Sequence, residues 1–92
     1  MDEAAKLELL KLELQRTGTV LEPLLSHYLA AAAERIGQMG ITLGASAGDA
    51  ALQISYAAHL YRVRVDPETE MPRSLRWELN NRLFSEKGRS DG

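Results

Sequence analysis

The residues best suited to chemistry sit in the middle of the chain. Ser55 and His59 are four positions apart, one helical turn, with Tyr56 and Tyr61 beside them. A serine hydroxyl next to an imidazole is the start of a nucleophilic pair, but it works only when a third group orients the base. No carboxylate lies within a turn of either residue. The expectation is therefore a buried histidine bonded to a carbonyl or a tyrosine. The other histidine, His27, is 32 positions from His59, without metal-ligand spacing, and with no cysteine in the chain there is no thiolate site and no disulfide. Gly40, Gly44 and Gly48 punctuate one loop, but their spacing matches neither the dinucleotide fingerprint nor the P-loop, and no lysine follows. The acidic trio Asp66, Glu68 and Glu70 lacks calcium-loop spacing. It reads as a solvated turn, with pairing to the basic residues of an adjacent copy as the alternative.

Ninety-two residues amount to one domain, 1–92. A chain of this length buries only about 60–65% of the surface its unfolded form exposes. Without staples, such a chain often gains stability by oligomerising. Net charge is −2, unevenly spread: residues 1–71 hold six Lys/Arg against ten Asp/Glu, and residues 72–92 hold five against three. This is not the strongly basic footprint of a nucleic-acid-binding domain. It does place a basic end beside an acidic body. Asp2 and Glu3 occupy the place of a signal peptide's positive region, and no apolar run approaches the roughly 20 residues that span a bilayer. Synthesis in the cytoplasm, with no membrane partner, is expected.

The pattern predicts an all-α bundle of about four helices, at 2–16, 21–39, 49–64 and 72–87. In the first, Leu7, Leu10 and Leu14 share one stripe, while Leu9 and Leu12 fall nearly opposite. The alternation of Leu10, Leu12 and Leu14 also allows a strand, but the Ala, Leu, Glu and Lys content argues for helix. Two apolar stripes need two things to pack against: either the whole helix is sandwiched in its own domain, or Leu9 and Leu12 face a neighbouring subunit. Thr17-Gly18-Thr19 ends this pattern. The second helix starts either at a Thr19/Glu22 capping box or with Glu22 as the cap ahead of Pro23. Its core face is Leu21, Leu24, Leu25, Tyr28, Leu29, Ala32 and Ile36, and Gly40 suits a left-handed position after its end. Ile41 and Leu43 are expected to tuck over the core. Ser46 followed by Asp49 opens the third helix, which is apolar on all sides and therefore the buried one.

The least generic stretch is Met71–Lys87, MPRSLRWELNNRLFSEK. Pro72 fits a helix start. Leu75, Leu79 and Leu83 form an i, i+4, i+8 stripe that suffices to dock the helix. Trp77, Asn81 and Phe84 lie on a second face, with Arg73, Arg76 and Arg82 along the flanks. Trp77 then either caps the domain's own core or serves a contact with another chain, the setting in which Trp and Arg are enriched as hot spots. Residues 88–92 are expected to be a disordered tail.

Residues 56–87, YAAHLYRVRVDPETEMPRSLRWELNNRLFSEK, resemble the C-terminal half of the small head–tail connector (adaptor) proteins of tailed phages and prophages. The features that carry the resemblance are Leu60-Tyr61-Arg62, the short acidic turn, Met71-Pro72-Arg73, Leu75-Arg76, Asn80-Asn81-Arg82, Phe84-Ser85 and Lys87. It covers about a third of the chain specifically and the remainder in layout. The resemblance implies a non-enzymatic, cofactor-free helical subunit that assembles as a homo-oligomeric ring of about twelve copies. Such a ring sits in the virion at the head–tail junction, between the portal protein and a tail-completion or neck protein. DNA passes through its channel without specific binding. The interface candidates are Leu9, Leu12, Arg73, Arg76, Trp77, Asn80, Asn81, Arg82 and Phe84, and no catalytic, cofactor or metal residue is expected. The alternative is a small helical regulatory or DNA-binding module using its basic C-terminal helix. The nine-residue loop between the second and third helices does not fit a helix-turn-helix.

Overall fold

The third apolar run is the centre of the structure because nearly its whole circumference must leave water. In the computed structural model, which describes residues 1–90 and the side chains of residues 1–87, it forms α3 (Ala47–Val65). Around it stand α1 (Glu3–Glu13), α2 (Glu22–Gln38) and α4 (Arg73–Ser90). The expected all-α bundle is what forms, with each helix shifted at its ends by one to three residues. The expectation for the tail changes in part: α4 continues to Ser90, and 91–92 lie outside the described residues.

Helices α1 and α2 pack against α3 and against each other, while among the described residues α4 packs on α3. Leu10, Leu25, Leu29, Ala32, Ile36, Ala57 and Ala58 reach zero exposure, and Leu52, Ile54, Tyr56, Tyr61, Leu75 and Leu79 complete the core. Ile41 is buried and Leu43 half-buried against it, so the glycine loop does fold back over the core. Along its shortest axis the Cα trace measures 18 Å, about two helix diameters. A two-layer body covers one face of each outer helix and leaves the other to solvent.

Local chemistry sets the helix ends. Asp2 caps α1 by accepting from the Ala5 N–H at 2.8 Å, and Ser46 caps α3 by accepting from Asp49 N–H at 3.1 Å. The start of α2 differs from both expectations. Leu21 holds the cap position without a side-chain bond, and the Thr19 carbonyl, not its hydroxyl, accepts from Glu22 N–H at 3.2 Å. At the other end of α2 the chain closes in a Schellman motif. Gly40 N–H donates to the Gly37 carbonyl and Ile41 N–H to the Ile36 carbonyl, with Gly40 at φ 102°. The same motif ends α1, where Gln15 N–H donates to Leu12 and Arg16 N–H to Lys11, but the left-handed residue is Gln15 at φ 56°. Lys11 also ties α1 to α2, donating to Glu22 at 2.8 Å, and this bond raises its pKa above the ordinary lysine value.

Two polar groups in α3 behave differently from each other. Gln53, buried at 5% exposure, donates from Nε2 to the Leu29 carbonyl at 2.9 Å and so bonds α3 to α2. His59 was expected to bond to a carbonyl or a tyrosine. Its buried Nδ1 instead has no partner, and its ring meets Tyr56 edge-on at 6.4 Å. Ser55 is exposed and shares no hydrogen bond with it.

The two Schellman closures predict opposite responses to substitution. Gly40→Ala is expected to cost about 1 kcal/mol, because an L side chain is strained in the left-handed region, whereas Gln15→Gly removes that strain and is expected to stabilise by several tenths to about 1 kcal/mol. Urea melts followed by circular dichroism check both, and equal midpoints for the two variants would refute the assignment.

Candidate functional site

Helix α4 carries two faces that share no residue. Leu75 and Leu79 are buried, at 4% and 5% exposure, and Leu83 is half-buried behind them. These three leucines dock the helix. Half a turn away, Trp77 is 66% and Phe84 80% exposed. Trp77 therefore does not cap the core but stands in water. Seven residues along a helix is almost two turns, so the two aromatic rings stand about 10 Å apart on the same side.

The polar candidates divide between these faces. Arg73, Arg76, Asn80, Asn81 and Lys87 are exposed around the aromatic pair, and among the described residues none of them forms an ion pair or side-chain hydrogen bond. Arg82 was expected on the surface with them, but it turns inward. It is half-buried and bonded to the carboxylate of Asp49, with Glu78 at 4.0 Å. Helical spacing explains this, since residue 82 lies seven positions after Leu75 and three after Leu79 and so falls on the docking side. Asp49 is a junction: its second oxygen accepts from Gly44 N–H at 2.8 Å, and its backbone N–H meets the Ser46 hydroxyl. One carboxylate thus joins the loop before α3, the first turn of α3 and the middle of α4. Sequence reading assigned Asp49 only to the helix start. The available signal was a carboxylate and an arginine that both face the α3–α4 seam, which no local pattern discloses.

On α1, Leu9 is 40% and Leu12 72% exposed, while Leu10 is buried and Leu7 and Leu14 are half-buried. The second stripe is outside its own domain and not sandwiched within it. Beside Phe84, Met39 (38% exposed) and Leu83 line an open hollow of about 490 Å³ that sequence reading did not single out. The structure therefore brings Arg73, Arg76, Trp77, Asn80, Asn81 and Phe84 onto one helix, sets Leu9 and Leu12 on another, and removes Arg82 from the set. Among the described residues helices α1 and α4 do not pack on each other, though Glu13 and Glu78 border one hollow.

Among the described residues no three His, Asp or Glu side chains are grouped to hold a metal ion, and no helix is long and apolar enough to cross a membrane. Compared with protein-family models, with curated proteins and with solved structures, the chain has no match.

Two predictions follow the two faces of α4. Trp77→Ala and Phe84→Ala should each change the monomer's unfolding free energy by less than about 0.5 kcal/mol, as exposed substitutions do. Leu79→Ala should cost about 2–5 kcal/mol. Since Trp77 is the sole tryptophan, its fluorescence in dilute solution should peak at a water-exposed wavelength; a blue-shifted peak from the dilute monomer would contradict the geometry.

The second concerns pH. The Arg82 guanidinium bonded to Asp49 holds that carboxyl below its usual value of 3.8, against the opposing effect of burial. Burial, aided by the nearby Arg62, holds His59 below its usual 6.5. Both groups bind a proton more readily when unfolded. Each therefore stabilises the fold above its unfolded pKa and loses that contribution as pH falls through the folded one. Stability should decline in two stages on acidification, the first beginning near 6.5 and the second near 3.8. Urea midpoints should show the first stage flattened in His59→Phe and the second in Asp49→Asn.

Proposed function

We propose that this chain is a structural subunit of a phage head–tail connector ring. Copies interlock into a closed ring of about twelve, which joins the portal protein to a tail-completion or neck protein and extends the channel through which DNA leaves. It is made in the host cytoplasm and resides in the virion at the head–tail junction, with no enzymatic role. The observation that carries this reading is the exposure of Trp77 and Phe84, at 66% and 80%, on a helix that its leucines already dock. Two large aromatics in water serve nothing in the monomer, whereas burying each is worth roughly 1.5–3 kcal/mol in a contact with another chain. The likeness of residues 56–87 to the connector family rests on the same segment. The exposed second stripe of α1, Leu9 and Leu12, supplies further unpaired apolar surface on the same small body.

A small DNA-binding module using α4 is the competing reading, and the basic, aromatic outer face of that helix is what favours it. Among the described residues it has three free cations, Arg73, Arg76 and Lys87, on a chain of net charge −2, and non-specific affinity tracks the number of phosphates neutralised.

Sedimentation velocity over a concentration series, alone and with a phage portal protein, tests the proposal. Self-association that grows with concentration and a complex with the portal are expected. A strict monomer that ignores the portal and binds duplex DNA with steep salt dependence would replace the connector with the DNA-binding module.

A further inference from the structure

We infer that the outer face of α4 in one copy docks on the outer face of α1 in the next, in a head-to-tail contact held by opposite charge around an apolar centre. The inference rests on reading the chain as a self-assembling subunit, and it names the two surfaces that meet. Around Trp77 and Phe84 the exposed charges of α4 are Arg73, Arg76 and Lys87; its two described carboxylates, Glu78 and Glu86, are half-buried, and Glu78 lies by Arg82. The outward side of α1 is the reverse. Helical spacing places Glu8 and Glu13 around Leu9 and Leu12, and the N-cap Asp2 adds a third carboxylate at the start of the helix. Its two lysines are drawn to the inner edge, with side-chain exposures of only 17% and 12% for Lys6 and Lys11. One surface is aromatic with three cations and the other aliphatic with three carboxylates.

The carboxylates have weak prior engagements. Glu8 lies 3.5 Å from Lys11, Glu13 3.8 Å from Arg62, and Asp2 caps its own helix. Glu8 and Glu13 remain largely in water, at 66% and 50% side-chain exposure, where such pairs contribute little. Beside Leu9 opens a hollow of about 250 Å³ lined by Met1, Ala47, Ala51 and Ile54 together with Glu13 and Ser55, so it is partly apolar with one of the carboxylates in its wall. Because α1 and α4 do not pack on each other among the described residues, a copy that offers the outer face of α4 to one neighbour keeps the outer face of α1 free for another. That is the heterologous geometry that closes into a ring or extends into a filament. Two like faces of α4 meeting across a two-fold axis would instead bring cation against cation.

Charge reversal tests the pairing. Arg73→Glu with Arg76→Glu makes both faces of one variant acidic, and Glu8→Arg with Glu13→Arg makes both faces of the other basic. Each double variant alone should associate about tenfold or more weakly than the unaltered chain. An equimolar mixture of the two should regain association, because every contact in it joins opposite charges. Sedimentation velocity reads the association, the Trp77 emission should shift to the blue only where it is regained, and far-ultraviolet circular dichroism checks that both variants stay folded. Added salt should weaken the unaltered assembly. Association of either variant alone at the unaltered strength, or no regain on mixing, overturns the α4–α1 pairing while leaving a self-assembling subunit intact. An unaltered chain that stays monomeric at every concentration overturns the assembly reading itself. Loss of duplex-DNA binding in the Arg73/Arg76 variant, with self-association unmoved, assigns the α4 face to nucleic acid and also overturns the pairing.

Discussion

The constraint on which everything else depends is that α3 must be covered almost all round. Leu52, Ile54, Tyr56, Ala57, Ala58 and Tyr61 are buried on different sides of one helix axis. A chain of 92 residues has only three other helices to do it. Each of them gives up one face to α3, and no further layer exists to cover the other. The exposed apolar groups of α1 and α4, Leu9, Leu12, Trp77 and Phe84, lie on the faces that α3 does not take. The surface of this molecule is thus set by the needs of its centre.

Within that arrangement α4 is the least anchored helix. It packs on α3 through Leu75, Leu79 and the Arg82–Asp49 ion pair, while Leu83 lies beside Gly40 and Glu86 accepts from the Thr42 N–H of the α2–α3 loop. The ion pair does more than add charge attraction. Asp49 is already held by the Gly44 and Ser46 groups, so an arginine that reaches it fixes the rotation of α4 about its own axis. That rotation determines which residues face water. With Arg82 inward, Trp77 and Phe84 point outward, and the free cations left on that face are Arg73, Arg76 and Lys87.

The separation of charge follows a similar logic on α1. Lys6 and Lys11 curl toward the core, one toward Glu3 and the other toward Glu8 and Glu22, and leave carboxylates around Leu9 and Leu12. A net charge near zero therefore hides two patches of opposite sign on opposite-acting helices. Charged patches in general steer association and fix its register more than they add affinity.

Much of the fold was legible because its signals are local. Helical periodicity marked the four helices, Ser46 and Gly40 marked ends whose bonds span only a few residues, and the all-round apolar pattern of α3 identified the buried helix. The Thr19 capping box failed because a competing backbone bond from the neighbouring turn took its place. Gln15 in the left-handed region was invisible for the opposite reason: no residue type advertised it. Of the surface candidates, the chain's own spacing separated Leu75, Leu79 and Leu83 from Trp77 and Phe84. It left open whether Trp77 closes the core or meets water and whether Leu9 and Leu12 are sandwiched or free, and Arg82 was set on the outer flank although its spacing from Leu75 and Leu79 puts it on the docking side. Those answers depend on how many layers the molecule has and on a carboxylate 33 positions away in the chain. Periodicity determines which residues share a side of a helix. Only packing in three dimensions decides what, if anything, stands opposite that side, because a face is buried by partners distant in sequence.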